Sequence, residues 1–127
     1  MEAFLKTRYR DSVPYITRDG SEIRELMHPD VHGSAHQSLA EAIIQPGEKT
    51  QRHRHLLTEE LYHVTRGEGM MHLGARCFAI SVGDTVCIAP GEAHCVEASG
   101  DAPLHILCCC SPAYSHDDTQ LLTEGSD

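Results

Sequence analysis

Two histidine-bearing stretches carry the chemistry of this chain. The first, GEKTQRHRHLLTEELYHVTRG at residues 47–67, sets His53 and His55 two residues apart and Glu60 five further on. The second, GDTVCIAPGEAH at residues 83–94, ends on a third histidine, His94. Side chains alternate between the two faces of a β-strand, so His53 and His55 on a strand point the same way. Two imidazoles on one face can share a cation. A carboxylate from the next strand and a third imidazole from a later one would complete its shell. Such ligands suit Fe, Mn, Co, Ni, Cu or Zn. A metal held by them can act as a Lewis acid, activate water, or hold an enolate or dioxygen adduct. Three histidines and a glutamate aimed inward would be costly to bury without one.

The first stretch resembles the first cupin motif, G-x5-H-x-H-x4-E-x6-G, at Gly47, His53, His55, Glu60 and Gly67. The second resembles the second cupin motif at Gly83, Pro90, Gly91 and His94. Two positions depart from the pattern: Ala89 stands where a proline is usual, and Ala98 where an asparagine is frequent. The short join between Gly67 and Gly83 resembles that of small single-domain bacterial cupins. The resemblance implies a metal site of His53, His55, Glu60 and His94 holding one divalent transition metal. Glu59 and Glu60 are adjacent, so only one faces inward, and the family spacing selects Glu60. Tyr62 and Val64 would share its inward face. Gln51 would share that of His53 and His55, which makes Gln51 and Tyr62 candidate pocket residues.

Short strands must position these groups. Residues 15–26, YITRDGSEIREL, read as a hairpin around the two-residue turn Asp19-Gly20. The His-, Gly- and Pro-rich segment that follows reads as a loop. Strands are expected at 39–45, 50–55, 60–65, 69–73, 76–81, 84–88, 94–98 and 104–110, separated by Gly and Pro turn signals. No long stretch has a helical period. Many short strands point to a sandwich or barrel. The family resemblance makes the fold class all-β: a cupin jelly-roll barrel, or double-stranded β-helix, with an N-terminal hairpin and a short C-terminal tail. The division expected is 1–37 as hairpin and loop, 38–111 as barrel and 112–127 as acidic tail. Within the tail, SHDDTQLLTE reads as one or two helical turns capped by Ser115 or Asp117.

Composition narrows the partners. A chain of 127 residues is one domain by length. Acidic residues outnumber basic ones 19 to 10, which argues against nucleic acid, whose phosphates need clustered Lys and Arg. No apolar run approaches the roughly 20 residues of a membrane span, and the N-terminus has no secretory pattern. The six cysteines form no zinc-finger or disulfide framework and read as reduced thiols of a cytoplasmic protein. Cys108, Cys109 and Cys110 alternate faces and read as core packing. His28, His32 and His36 read as surface residues of the loop, and His63, His72 and His105 as surface or interface residues.

The function expected is a metal-dependent enzyme acting on a small metabolite, of dioxygenase, isomerase or lyase type. The alternative is a non-catalytic small-molecule-binding or sensing module. Small cupins resemble one another in forming homodimers, often with a crossing N-terminal strand, so the 15–26 hairpin is the expected dimer arm.

Overall fold

The computed structural model describes residues 6–123. After a short 3-10 turn at Tyr9–Asp11, the strands are β1 (Tyr15–Ile16), β2 (Glu22–Met27), β3 (Ser38–Ile44), β4 (His53–His55), β5 (Glu59–Arg66), β6 (Glu68–Leu73), β7 (Arg76–Ser81), β8 (Thr85–Ile88), β9 (His94–Ala98), β10 (Leu104–Ser111) and β11 (Thr119–Leu121). Period-two patterning explains them. In β5, Glu60, Tyr62 and Val64 are buried while Glu59, Leu61 and His63 are exposed. In β10, Leu104, Ile106, Cys108 and Cys110 all turn inward.

The strands pair antiparallel into two sheets. One runs β1-β2-β3-β10-β5-β8 and the other β11-β4-β9-β6-β7. Both contribute to one aliphatic core that includes Val64, Met71, Ile88, Val96, Leu104 and Ile106. This is the expected all-β jelly roll, closed by packing rather than by a continuous ring of strand hydrogen bonds. Gly67 makes the crossing from β5 in one sheet to β6 in the other. Its φ of +78° is a left-handed conformation, and a Cβ there would lie 2.4 Å from the Pro103 carbonyl oxygen.

The structure departs from the sequence reading at three places near the site. The hairpin does not turn on Asp19-Gly20 alone. Residues 17–21 form a wider loop, closed by Thr17 N–H to Ser21 O at 3.0 Å and Gly20 N–H to Thr17 O at 3.0 Å. Strand β4 begins at His53, not at residue 50: Thr50 N–H still donates to the Val96 carbonyl at 2.9 Å, but the Thr50 hydroxyl, not a backbone carbonyl, accepts the Val96 N–H at 3.0 Å. The tail makes a single turn, with Thr119 N–H bonded to His116 O at 3.1 Å, and then becomes β11, paired with β4. Helical continuation loses there because the outer edge of β4 presents backbone groups that need partners. The hairpin itself lies along its own chain, with β2 paired to β3 from Glu22 to Met27.

Leu104 is completely buried and Leu57 is 72% exposed. In urea denaturation, Leu104→Ala is expected to lower stability by about 2–5 kcal/mol, whereas Leu57→Ala should change it by less than about 0.5 kcal/mol.

Candidate metal centre

The three histidines come from one sheet. His53 and His55 alternate inward on β4, and β4 pairs with β9 at His53↔His94. Register therefore brings all three rings together, with centroids 4.2 Å apart for His53 and His94 and 5.1 Å for His53 and His55. One nitrogen from each lies within 4.8 Å of the other two, a metal-binding arrangement. Glu60 arrives from β5 in the opposite sheet. Its Oε1 stands 3.2 Å from His55 Nε2 and 3.6 Å from His94 Nε2. All four side chains are buried.

The outer nitrogens settle the tautomers. His53 Nδ1–H donates to the Gln51 carbonyl at 2.8 Å and His94 Nδ1–H to the Glu92 carbonyl at 2.9 Å, since a carbonyl can only accept. Thr119 Oγ1 donates to Ser115 O at 2.8 Å, so at 3.0 Å it accepts from His55 Nδ1–H. Each ring thus carries a hydrogen on Nδ1 and turns its Nε2 toward the centre.

The donor set fits a cation on two observations. Glu60 Oε1 and His94 Nε2 are buried without a hydrogen-bond partner, and such orphaned atoms are rare unless something charged meets them. Cys110 Sγ–H donates to Glu60 Oε2 at 3.3 Å, which turns Oε1 toward the imidazoles. Burial by itself would push the Glu60 carboxyl up. The His55 and His94 imidazoles beside it outweigh burial and hold the group ionised, well below the usual carboxylate range. The centre therefore calls for positive charge between these atoms, from a proton or a metal.

The centre opens on a cavity of about 40 Å3 whose lining includes Tyr62, Ile106, Cys108, Cys110 and Tyr114. Tyr62 is buried and meets His94 edge-on at 5.9 Å. Gln51 is not brought to this cavity. Its side chain is exposed, and it reaches the site through the backbone carbonyl that orients His53. Cys108 and Cys110 line the cavity rather than merely filling the core, and burial first, then the Glu60 charge, pushes both thiols up, so they stay protonated. His28, expected at the surface, is buried. Its Nδ1 accepts from Asp30 N–H, so Nε2–H donates to the Tyr114 carbonyl at 2.8 Å. It joins no metal-binding cluster among the described residues.

Four residues escaped the sequence reading. Thr119 orients His55, and Tyr114 meets the His55 ring at 5.8 Å. Asp118 accepts from Leu57 N–H at 2.9 Å and Thr58 N–H at 3.1 Å, fixing the loop between His55 and Glu60. Asp19 enters the cavity wall beside His53. Three of them lie in the acidic tail, and Asp19 is disguised as a turn residue.

Comparison with known proteins matches residues 40–110 to a family model described as a cupin domain. An uncharacterized protein of Methanocaldococcus jannaschii is 48% identical over 118 residues, covering 93% of this chain and 94% of the relative. An oxalate-binding protein of Thermotoga maritima is 27% identical over 86 residues, covering 68% of this chain and 71% of the relative. Among solved structures, a Streptomyces PAC13 variant with uridine superposes with a TM-score of 0.78 at 13% identity, covering 94% of this chain and 91% of that one. That likeness is one of fold.

Thr119→Val removes the acceptor for His55 Nδ1–H while keeping the side-chain shape. Competition against a fluorescent chelator is expected to show metal affinity lowered about 10- to 100-fold, with Thr119→Ser near wild type. A second expectation concerns pH. Burial, reinforced by the His94 ring, pulls His53 from 6.5 down to about 4. Between those values the unfolded chain takes up a proton that the folded chain refuses, so the stability of metal-free protein should fall as pH drops from about 6.5 to about 4. Urea midpoints measured across that range test it, and the slope should be shallower in His53→Gln.

Proposed function

We propose, for a chain that belongs to the cupin domain family, that His53, His55, Glu60 and His94 hold one divalent transition metal and that the adjoining cavity takes a small oxygen-bearing metabolite for conversion. The observation that carries this reading is the pair of buried, unpartnered atoms, Glu60 Oε1 and His94 Nε2, in a ring of imidazoles whose outer nitrogens are already bonded. A bound metal would supply Lewis acidity and, if it is Fe, Mn or Cu, redox capacity.

The protein's own residues do the rest. The Nδ1 bonds stop the three rings from rotating. Cys110 holds Glu60 by its far oxygen. Tyr62, Tyr114, Ile106 and Cys108 wall the cavity and limit water. Dioxygenase, isomerase and lyase chemistries all run on such a centre.

A second reading, a binding or sensing module, is favoured by the likeness to the oxalate-binding protein of Thermotoga maritima. Turnover separates the two, because a sensor binds its ligand and returns it unchanged.

Metal content by mass spectrometry, on protein purified without added metal or chelating resin, tests the centre. About one transition metal per chain is expected in the wild type and none in the His53→Ala, His55→Ala double variant. A wild type that stays metal-free even after reconstitution would sink the proposal.

A further inference from the structure

Asp19 lies at the tip of the N-terminal hairpin, outside the segment matched by the family model, yet its carboxylate faces the centre. The loop that carries it is fastened on three sides. Gln51 N–H donates to the Asp19 carbonyl at 2.8 Å. The Arg18 guanidinium donates to the His116 and Thr119 carbonyls at 2.9 and 2.8 Å. Thr17 Oγ1 and the Tyr114 hydroxyl bond at 3.1 Å. Gly20, at φ +93°, lets the backbone turn back without a Cβ. The Asp19 side chain is consequently only 12% exposed.

Its two oxygens differ. Oδ1 accepts from Ser21 N–H at 3.0 Å and from the Ser21 hydroxyl at 2.7 Å. Oδ2 faces His53 Nε2 at 3.7 Å, too far for a hydrogen bond. The proton of that imidazole is already on Nδ1, so Oδ2 and Nε2 are two acceptors facing one another. A metal satisfies Nε2. Oδ2 then needs a hydrogen from something else.

The cavity wall does not supply one in charged form. Among the described residues its lining includes the carboxyl groups of Asp19, Glu25 and Glu60 and no Lys or Arg. The Tyr15 hydroxyl donates to Glu25 Oε1 at 3.0 Å and so is engaged elsewhere.

We propose that Asp19 is a specificity-determining residue, whose free Oδ2 selects ligands that bring a hydroxyl or amine next to the atom they coordinate through. Hydroxy acids, diols and amino alcohols are of this class. A dicarboxylate of the same bite sets a second anionic oxygen against Oδ2, with no Lys or Arg among the described lining residues to separate them, and is disfavoured. This selectivity rests on the metal reading above.

Glycolate and oxalate are a matched pair of probes, each able to chelate through two oxygens, one with a hydroxyl and the other without. Calorimetric titration of manganese-reconstituted wild type is expected to give tighter binding for glycolate than for oxalate. In Asp19→Asn, the amide oxygen still accepts from Ser21 and the amide N–H faces the cavity, so the glycolate-to-oxalate affinity ratio should fall by about tenfold or more. Oxalate preferred by the wild type, or a ratio unchanged in the variant, overturns the proposal. Loss of metal from Asp19→Asn also overturns it, since Asp19 would then be holding the metal rather than choosing the ligand. Metal content measured on each sample separates these results from failure of the parent reading, in which the wild type itself binds no manganese.

Discussion

The structure depends on one electrostatic constraint: four buried ligand-type groups converge with their acceptor atoms facing one another. Nε2 of each histidine points inward because Nδ1 is bonded outward, and Glu60 Oε1 meets them from across the sandwich. Lone pairs brought together away from water repel and cannot be hydrated, so this cluster is stable only around positive charge. The constraint also ties the two sheets together. Three of the groups belong to one sheet and the fourth to the other, so a cation satisfying all four is a crosslink across the core.

What keeps the groups aimed lies mostly outside the central strands. The C-terminal segment adds β11 to the edge of β4 and places Thr119 behind His55 and Asp118 under the loop that leads to Glu60. The N-terminal hairpin reaches the same place from the other side, where Arg18 and Thr17 bind tail groups. The cavity mouth is thus built from both ends of the described chain, with Tyr114 between them. A site supported this way keeps its geometry through hydrogen bonds that are individually modest but share partners.

The cavity wall sets the Asp19, Glu25 and Glu60 carboxyl groups among aliphatic, thiol and hydroxyl side chains. Cys108 and Cys110 stay protonated because burial and the neighbouring Glu60 charge both oppose the thiolate. They therefore act as small apolar surface and, for Cys110, as a weak donor, not as nucleophiles. At such a site a bound metal would supply binding strength, and the polar atoms left unsatisfied around it would supply discrimination.

Much of this was legible in the amino-acid sequence. Strand alternation and glycine turn signals located most of the strands, because a half-buried strand writes its period directly into residue order. The H-x-H spacing put His53 and His55 on one face for the same reason, and the motif spacing picked out Glu60 and His94. Tertiary structure alone decided the rest. Which histidine nitrogen carries the proton depends on Thr119, 64 residues from His55. The tail became a strand because β4 had an open edge, a fact invisible within the tail itself. Asp19 reads locally as a turn former, and Gln51 as a member of an inward face. Yet the loop fastened to Tyr114, His116 and Thr119 turns Asp19 into the cavity, and the late start of β4 leaves Gln51 outside it. Period and spacing encode which face a residue takes along its own strand. The groups it meets from distant segments are set only when those segments pack.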